Sequence, residues 1–272
     1  MTSTELSKSG SADTHVPAAT AEVADDGWYG RSVSSRSPSA TGDESGNDLE
    51  YPRVDQSPLL ENLPASLVES LRYLVGRFQL GDTVEFSRRL AVVSALHGEG
   101  VTTIARTLAA IIANDLDVRV CCVDLSWPGQ ATSRTTDVSD PGIYEVVTGR
   151  LKLEAVLQPT DDKRLRFLRV GQVPDSQRQV LARSPRLGNL FDELDMKFDY
   201  MVFDMPPILA GSAGLGLVRY VNSYLLVVRH GVTTTHQVRS AVDELRSIPS
   251  VGVVLNRYKS RIPKWLAHLL AS

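Results

Sequence analysis

The stretch LAVVSALHGEGVTTIARTLAAIIA (residues 90–113) opens as a strand, turns on glycines and continues as a helix. Its first seven residues are almost entirely apolar, as in a strand covered on both faces. TTIARTLAAIIA carries a helical apolar pattern. Between them lie Gly98, Glu99 and Gly100, followed by Val101, Thr102 and Thr103. Strand, glycine loop and helix N-terminus, in that order, are the parts of a phosphate cradle. Glycines let backbone N–H groups turn inward, the helix end adds positive potential, and a lysine neutralises the outer phosphates. Gly98 and Gly100 supply the backbone, the helix from Thr102 supplies the dipole, and Thr102 stands where a hydroxyl would ligate Mg²⁺. Val101 stands where the lysine belongs. Removing one aimed donor from a charge-stabilising site costs roughly 10²–10³ in rate, and phosphoryl transfer leans on such charges throughout. Binding survives better, because N–H groups and a metal also hold phosphates. On this loop alone, a strand-to-helix turn with no ligand is an open alternative.

Outward from the loop, strand-like and helix-like segments alternate from residue 88 on. RLAVVSAL (89–96), VRVCCVDL (118–125), LRFLRV (165–170), YMVFDM (200–205), SYLLVV (223–228) and VGVVLN (251–256) read as strands. HQVRSAVDELRS is among the helical patterns between them. Alternation of this kind predicts an α/β fold with a doubly wound, mostly parallel sheet. Ligands of such sheets bind at the carboxyl ends of strands. Asp124 and Asp204 both fall at such ends, where an acid can hold Mg²⁺ or its waters. Each alone is equally a helix cap or a surface turn. With the loop, they predict a nucleotide cleft.

The flanks read differently. Residues 1–55 hold ten acids and four bases, a net −6, so the remaining residues carry +3 against the whole-chain −3. That surplus is too small to point to nucleic acid. SVSSRSPSATGDESGND cannot bury enough surface to offset its ordering entropy, so residues 1–56 are expected to be a disordered acidic tail. Its aromatic pair, Trp28-Tyr29, is a docking element in the alternative reading. Residues 58–80 carry Leu67, Leu71, Leu74 and Phe78 at helix spacing, with Pro64 and Ser66 where a helix would begin. The main domain is thus expected over 57–258. Residues 259–272 form an amphipathic segment with Trp265, Leu266, Leu269 and Leu270, which either packs on the domain or lies on an anionic membrane. Cys121 and Cys122 are adjacent, have no disulfide or metal spacing, and read as inert buried thiols of a reducing compartment. No run reaches the roughly 18 apolar residues of a bilayer span, and no signal-peptide core opens the chain. These features predict a cytoplasmic protein.

From about residue 58 to 258 the chain resembles the bacterial tyrosine autokinases of capsular and exopolysaccharide synthesis, within the wider MinD/ParA-like group of P-loop ATPases. SALHGEGVTTIARTLAAIIA looks like the first phosphate motif of that family, VCCVDLSWPG like the second (commonly Asp-x-Asp), and FDYMVFDMPPIL like the third. DPGIYEVVTGRLKLEAVLQPT, SPRLGNLFDELDMKFDY, YLLVVRHGVTTTHQVRSAVDELRS and GVVLNR follow the same running pattern. The resemblance implies a P-loop NTPase sheet, ATP and Mg²⁺ as ligands, and roles for matching positions. Gly98, Glu99, Gly100, Val101, Thr102 and Thr103 would surround the phosphates, and Thr102 and Asp204 the metal. Asp124 and Asp204 would serve catalysis, and Asn256 would face the adenine. A helix of the family carries Glu-x-x-Arg-x-x-Arg and joins subunits; here Glu69 and Arg72 match, while Val75 takes the third place.

Three departures cluster on one activity. Val101 replaces the lysine, Ser126 replaces the second acid of the Asp-x-Asp motif, and no tyrosine follows Tyr258 to act as acceptor. The expectation is therefore a regulatory component of capsular or exopolysaccharide biosynthesis with weak or absent phosphoryl transfer. It would engage a membrane-embedded chain-length regulator or co-polymerase at the inner face of the plasma membrane, and copies of itself through Glu69 and Arg72. An active ATP-dependent tyrosine kinase, with Arg106 or a neighbouring subunit replacing the lysine, is one alternative. A partition- or positioning-type ATPase switch is the other.

Overall fold

The computed structural model describes residues 18–20, 58–61, 63–79, 87–127 and 140–258. The aromatic pair at 28 and 29, most of the acidic N-terminal stretch and the amphipathic segment at 259–272 lie outside the described residues. In chain order the elements are β1 (Ala18–Thr20), α1 (Pro58–Glu61), α2 (Ala65–Gln79), β2 (Arg89–Ser94), α3 (Val101–Asp115), β3 (Val120–Asp124), α4 (Ile143–Val147), β4 (Gln158–Pro159), β5 (Leu165–Arg169), α5 (Arg178–Ala182), α6 (Pro185–Lys197), β6 (Tyr200–Asp204), α7 (Ser212–Val218), β7 (Ser223–Arg229), α8 (Thr235–Glu244) and β8 (Ser250–Asn256). They form one sheet in the order β1-β8-β7-β2-β6-β3-β5-β4. Every pairing is parallel except β4 with β5. The doubly wound, mostly parallel sheet expected from the alternation is the one observed.

The central strands are apolar on both sides because both sides are covered. Leu90 and Val92 of β2, Cys122 of β3 and Val202 of β6 face a layer built from Leu71 and Leu74 of α2 and Leu108 and Ile111 of α3. Ala91, Val93, Cys121 and Phe203 face the opposite layer of α6 and α7. The two cysteines therefore enter different cores, as the twofold alternation of a strand requires. Burial alone pushes the Cys121 thiol well above its usual range, so it stays protonated and inert. On the α6–α7 side, Phe191 meets Phe203 and Tyr220 edge-to-face, with ring centroids 5.1 and 5.4 Å apart.

Two boundaries differ from the expected ones for local reasons. The helix of residues 58–80 is interrupted before Ala65, where Pro64 cannot donate a backbone hydrogen bond. Leu67, Leu71, Leu74 and Phe78 are nevertheless all buried. β2 stops at Ser94 rather than Leu96, because the Ser94 hydroxyl donates to the Leu96 carbonyl at 2.8 Å and the Leu96 N–H is taken by the Glu99 carboxylate at 3.0 Å. Residues 95 and 96 thus leave the ladder and begin the glycine loop.

Candidate functional site

The carboxyl ends of three adjacent strands converge beneath the start of α3. Asp204 at the end of β6 is in register with Val92 of β2 on one side and with Asp124 of β3 on the other. The two acids are thus neighbours across a parallel pair, and the glycine loop emerges from the third strand beside them. Thr102, in the first turn of α3, hydrogen-bonds the Asp204 carboxylate. Asp204 is 1% exposed, and its Oδ2 has no hydrogen-bond partner among the described residues. Burial, and after it the charge of Asp124, push the Asp204 carboxyl up to about 8; the Thr102 bond and Arg106 oppose the shift.

Asp124 is held differently. Its Oδ1 accepts the Ser126 backbone N–H at 3.0 Å and also the Ser126 hydroxyl, which closes an Asx turn. Its Oδ2 accepts from Arg106 Nη2 at 3.4 Å. Ser126, expected from the sequence to stand in place of the second acid of the motif, therefore caps Asp124. Arg106 follows Thr102 by four residues, so both lie on one face of α3 and each reaches one acid. The Arg106 guanidinium also lies 5.7 Å from the centroid of the Phe167 ring.

The loop itself is braced from below. Gly98 and Gly100 have φ of 76° and 99°, in the left-handed region that glycine enters without steric cost. A Cβ on Gly100 would come within 2.2 Å of Asn256 Nδ2. That amide donates to the Glu99 carbonyl at 2.8 Å, and Asn256 Oδ1 accepts the Arg257 N–H at 2.8 Å. The Glu99 side chain is 1% exposed. Besides the Leu96 N–H it accepts the Thr233 hydroxyl, whose oxygen in turn accepts the Arg229 N–H at 3.1 Å. Val101 is buried in the core between α2, α3 and the sheet.

The structure therefore brings Thr102, Asp124, Asp204 and Arg106 together. Glu99 and Asn256 are committed to bonds within the chain, Val101 to the core, while Gly98 and Thr103 are exposed. Glu69 and Arg72 are likewise engaged locally: Arg72 bridges Glu69 at 3.3 Å and Asp115 of α3 at 3.0 Å in its own chain. Sequence reading missed Thr233, whose GVTTTH context has no recognisable spacing. It also missed a cavity of about 150 Å³ beyond the two acids, lined by Trp127, Arg178, Gln179, Pro206, Pro207 and Ser212.

For a bound nucleotide and metal the residues fit unevenly. The Thr102 hydroxyl and the unpartnered Asp204 oxygen are hard oxygen donors suited to Mg²⁺. A Cβ on Gly98 would meet nothing within 4 Å, so this corner of the loop is open. At the position expected to carry the lysine Val101 is apolar, and Arg106 already serves Asp124.

Comparison with known proteins places these features in a lineage. The chain is 28% identical over 209 residues to the tyrosine-protein kinase Etk of Escherichia coli (strain K12), a match that covers 75% of this chain and 28% of that protein. It thus spans little more than a quarter of the length of that relative. It is 26% identical over 211 residues to the tyrosine-protein kinase YwqD of Bacillus subtilis (strain 168), covering 76% of this chain and 88% of YwqD. Among solved structures, the kinase domain of Escherichia coli tyrosine kinase ETK superposes with a TM-score of 0.63 at 25% identity, over 79% of this chain and 88% of that one. The family model ParA, described as NUBPL iron-transfer P-loop NTPase, matches residues 85–261. That span holds the glycine loop, both acids and Asn256 and is well over half of the chain, which therefore belongs to the ParA family of P-loop NTPases.

Proposed function

We propose that the protein is a regulatory component of capsular or exopolysaccharide biosynthesis that keeps the phosphate-and-metal scaffold of its kinase relatives and transfers phosphoryl groups weakly or not at all. The observation that carries this reading is Val101: the lysine position holds an apolar side chain that is 8% exposed. Phosphoryl transfer relies on aimed positive charge, and Arg106, one turn beyond Thr102, is paired with Asp124. In this reading Thr102 and Asp204 hold Mg²⁺, the 98–103 backbone holds phosphates, and Asp124 is a capped, neutralised acid. Bound Mg²⁺ would supply charge neutralisation of the phosphates. The partner is a membrane-embedded chain-length regulator or co-polymerase at the inner face of the plasma membrane. No helix among the described residues is long and apolar enough to cross a membrane. Contacts between copies would use the exposed Glu69 face of α2.

An active tyrosine kinase is the second reading. It is favoured by the placement of Arg106 one turn beyond Thr102, facing the acids. One experiment separates the two. ATP affinity is measured by calorimetry with and without Mg²⁺, and the protein is then incubated with γ-labelled ATP. Mg²⁺-dependent binding without label on the protein is expected, and Val101→Lys should tighten binding. Label transferred by the wild type would establish the second reading. Absence of binding in both proteins would remove the nucleotide site altogether.

A further inference from the structure

The helical layer over β6 and β7 carries three exposed arginines that form no ion pair among the described residues. Arg183 links α5 to α6, Arg186 lies in the first turn of α6, and Arg219 follows α7; all are exposed. Tyr220 ties them together. Its hydroxyl donates to the Ser184 carbonyl at 3.0 Å, its ring flanks Gly188 of α6, and the Arg219 guanidinium lies 5.8 Å from its centroid. Arg183 Cγ packs against Gly216 of α7.

Among the described residues no ion pair neutralises Arg183, Arg186 or Arg219. Arg186 gives one hydrogen bond, to the Val147 carbonyl at 3.3 Å. Nearby acids are engaged elsewhere. Asp192 and Asp195 hold Arg89, Asp175 holds Arg178, and Glu193 lies 3.7 Å from Lys197. Arg186 also occupies the first turn of a 13-residue helix, where the dipole disfavours positive charge. The result is a cationic surface of three guanidinium groups at local electrostatic cost.

We propose that this surface binds the acidic N-terminal segment of the same chain, centred on Asp43, Glu44, Asp48 and Glu50. Charge singles out this occupant: residues 43–50 hold four acids and no base, within a 55-residue stretch of net −6. Asp43 precedes Pro58 by fifteen residues, about 50 Å of extended chain, and this length has to pass from α1, which packs with α2 and α3, round the sheet to the opposite layer of α6 and α7. Tethering raises the effective concentration to roughly the millimolar range, so weak pairing suffices. The interaction uses no residue of the nucleotide site and stands or falls apart from that reading.

The test uses the full chain with Ser45→Cys bearing a nitroxide; Cys121 and Cys122 are buried and escape labelling. Selective broadening of the Arg186, Gly188 and Arg219 amides is expected at low salt. It should vanish as ionic strength rises from about 0.01 to about 1 M, which shortens the Debye length from roughly 30 to roughly 3 Å. R183E/R186E/R219E should abolish it. D43N/E44Q/D48N/E50Q, which leaves the folded domain untouched, should abolish it too. No broadening of these amides, or broadening that survives both variants, overturns the proposal. So does perturbation of the three arginines by phosphatidylserine vesicles in a protein whose tail label broadens nothing there.

Discussion

Asp204→Asn isolates the electrostatics of the cleft. The Asp204 carboxyl is pushed up to about 8, chiefly by burial and then by the charge of Asp124. In the unfolded chain it titrates near the ordinary aspartate value of about 3.9. Between these values the folded protein holds a proton that the unfolded chain has released. The contribution of Asp204 to stability is therefore fully present below about pH 4 and is lost as pH rises toward about 8. One proton released per molecule corresponds to about 1.4 kcal/mol per pH unit at most. Between pH 5 and 7 the wild type should lose about 1–3 kcal/mol on this account, the lower end reflecting relaxation around the charge. Asparagine keeps the shape and cannot ionise. Urea unfolding at pH 5, 6 and 7 in a chelator should thus show the variant gaining on the wild type by that amount across the range. Mg²⁺ adds a second arm. A cation replaces the proton, so at pH 7–8 it should raise the thermal midpoint of the wild type and leave the variant unchanged. Parallel pH slopes for the two proteins would refute the buried, proton-holding Asp204.

Gly100→Ala meets both a left-handed φ of 99° and the Asn256 amide at 2.2 Å; a loss of about 1–3 kcal/mol is expected in urea unfolding. Thr233→Val removes the hydroxyl from a buried Glu99 oxygen and should cost about 1–3 kcal/mol, with increased amide exchange in residues 96–100 as its local signature. Phe191→Ala empties a fully buried site between Phe203 and Tyr220 and should cost about 3–5 kcal/mol, read from the same unfolding curves.

How much of this was legible beforehand depends on how local the cause is. Strands such as Val120–Asp124 announced themselves because burial on both faces demands an unbroken apolar run. The split of Cys121 and Cys122 between two cores follows from strand alternation alone. Asp124 and Asp204 could be placed at strand ends, but their adjacency depends on β6 lying between β2 and β3 in the sheet, an order that chain sequence does not contain. The two-residue strand Gln158–Pro159 is too short for any period to register. Glu99 shows the limit most clearly. Its neighbours made it a phosphate-loop residue, yet its carboxylate turns beneath the loop to meet Thr233, 134 residues away. Pairing across that separation is visible only after the sheet has formed.

Val101, at the position expected to hold the lysine, also has a different meaning in three dimensions than in the sequence. A phosphate loop whose lysine was simply deleted would leave two acids facing each other with no cation between them. Here the repulsion is relieved twice over. Burial favours the neutral form of Asp204, and Asp124 is paired with Arg106 and capped by Ser126. Val101 extends the apolar core under the loop. The charges of the two acids are thus offset by burial and by groups of the chain itself. The two replacements read from the sequence, Val101 for the lysine and Ser126 for the acid, thus also serve the folded cleft, so restoring the lysine alone should tighten nucleotide binding more than it restores transfer. An Arg106→Gln change added to Val101→Lys would then be needed before Asp124 could act as a free carboxylate.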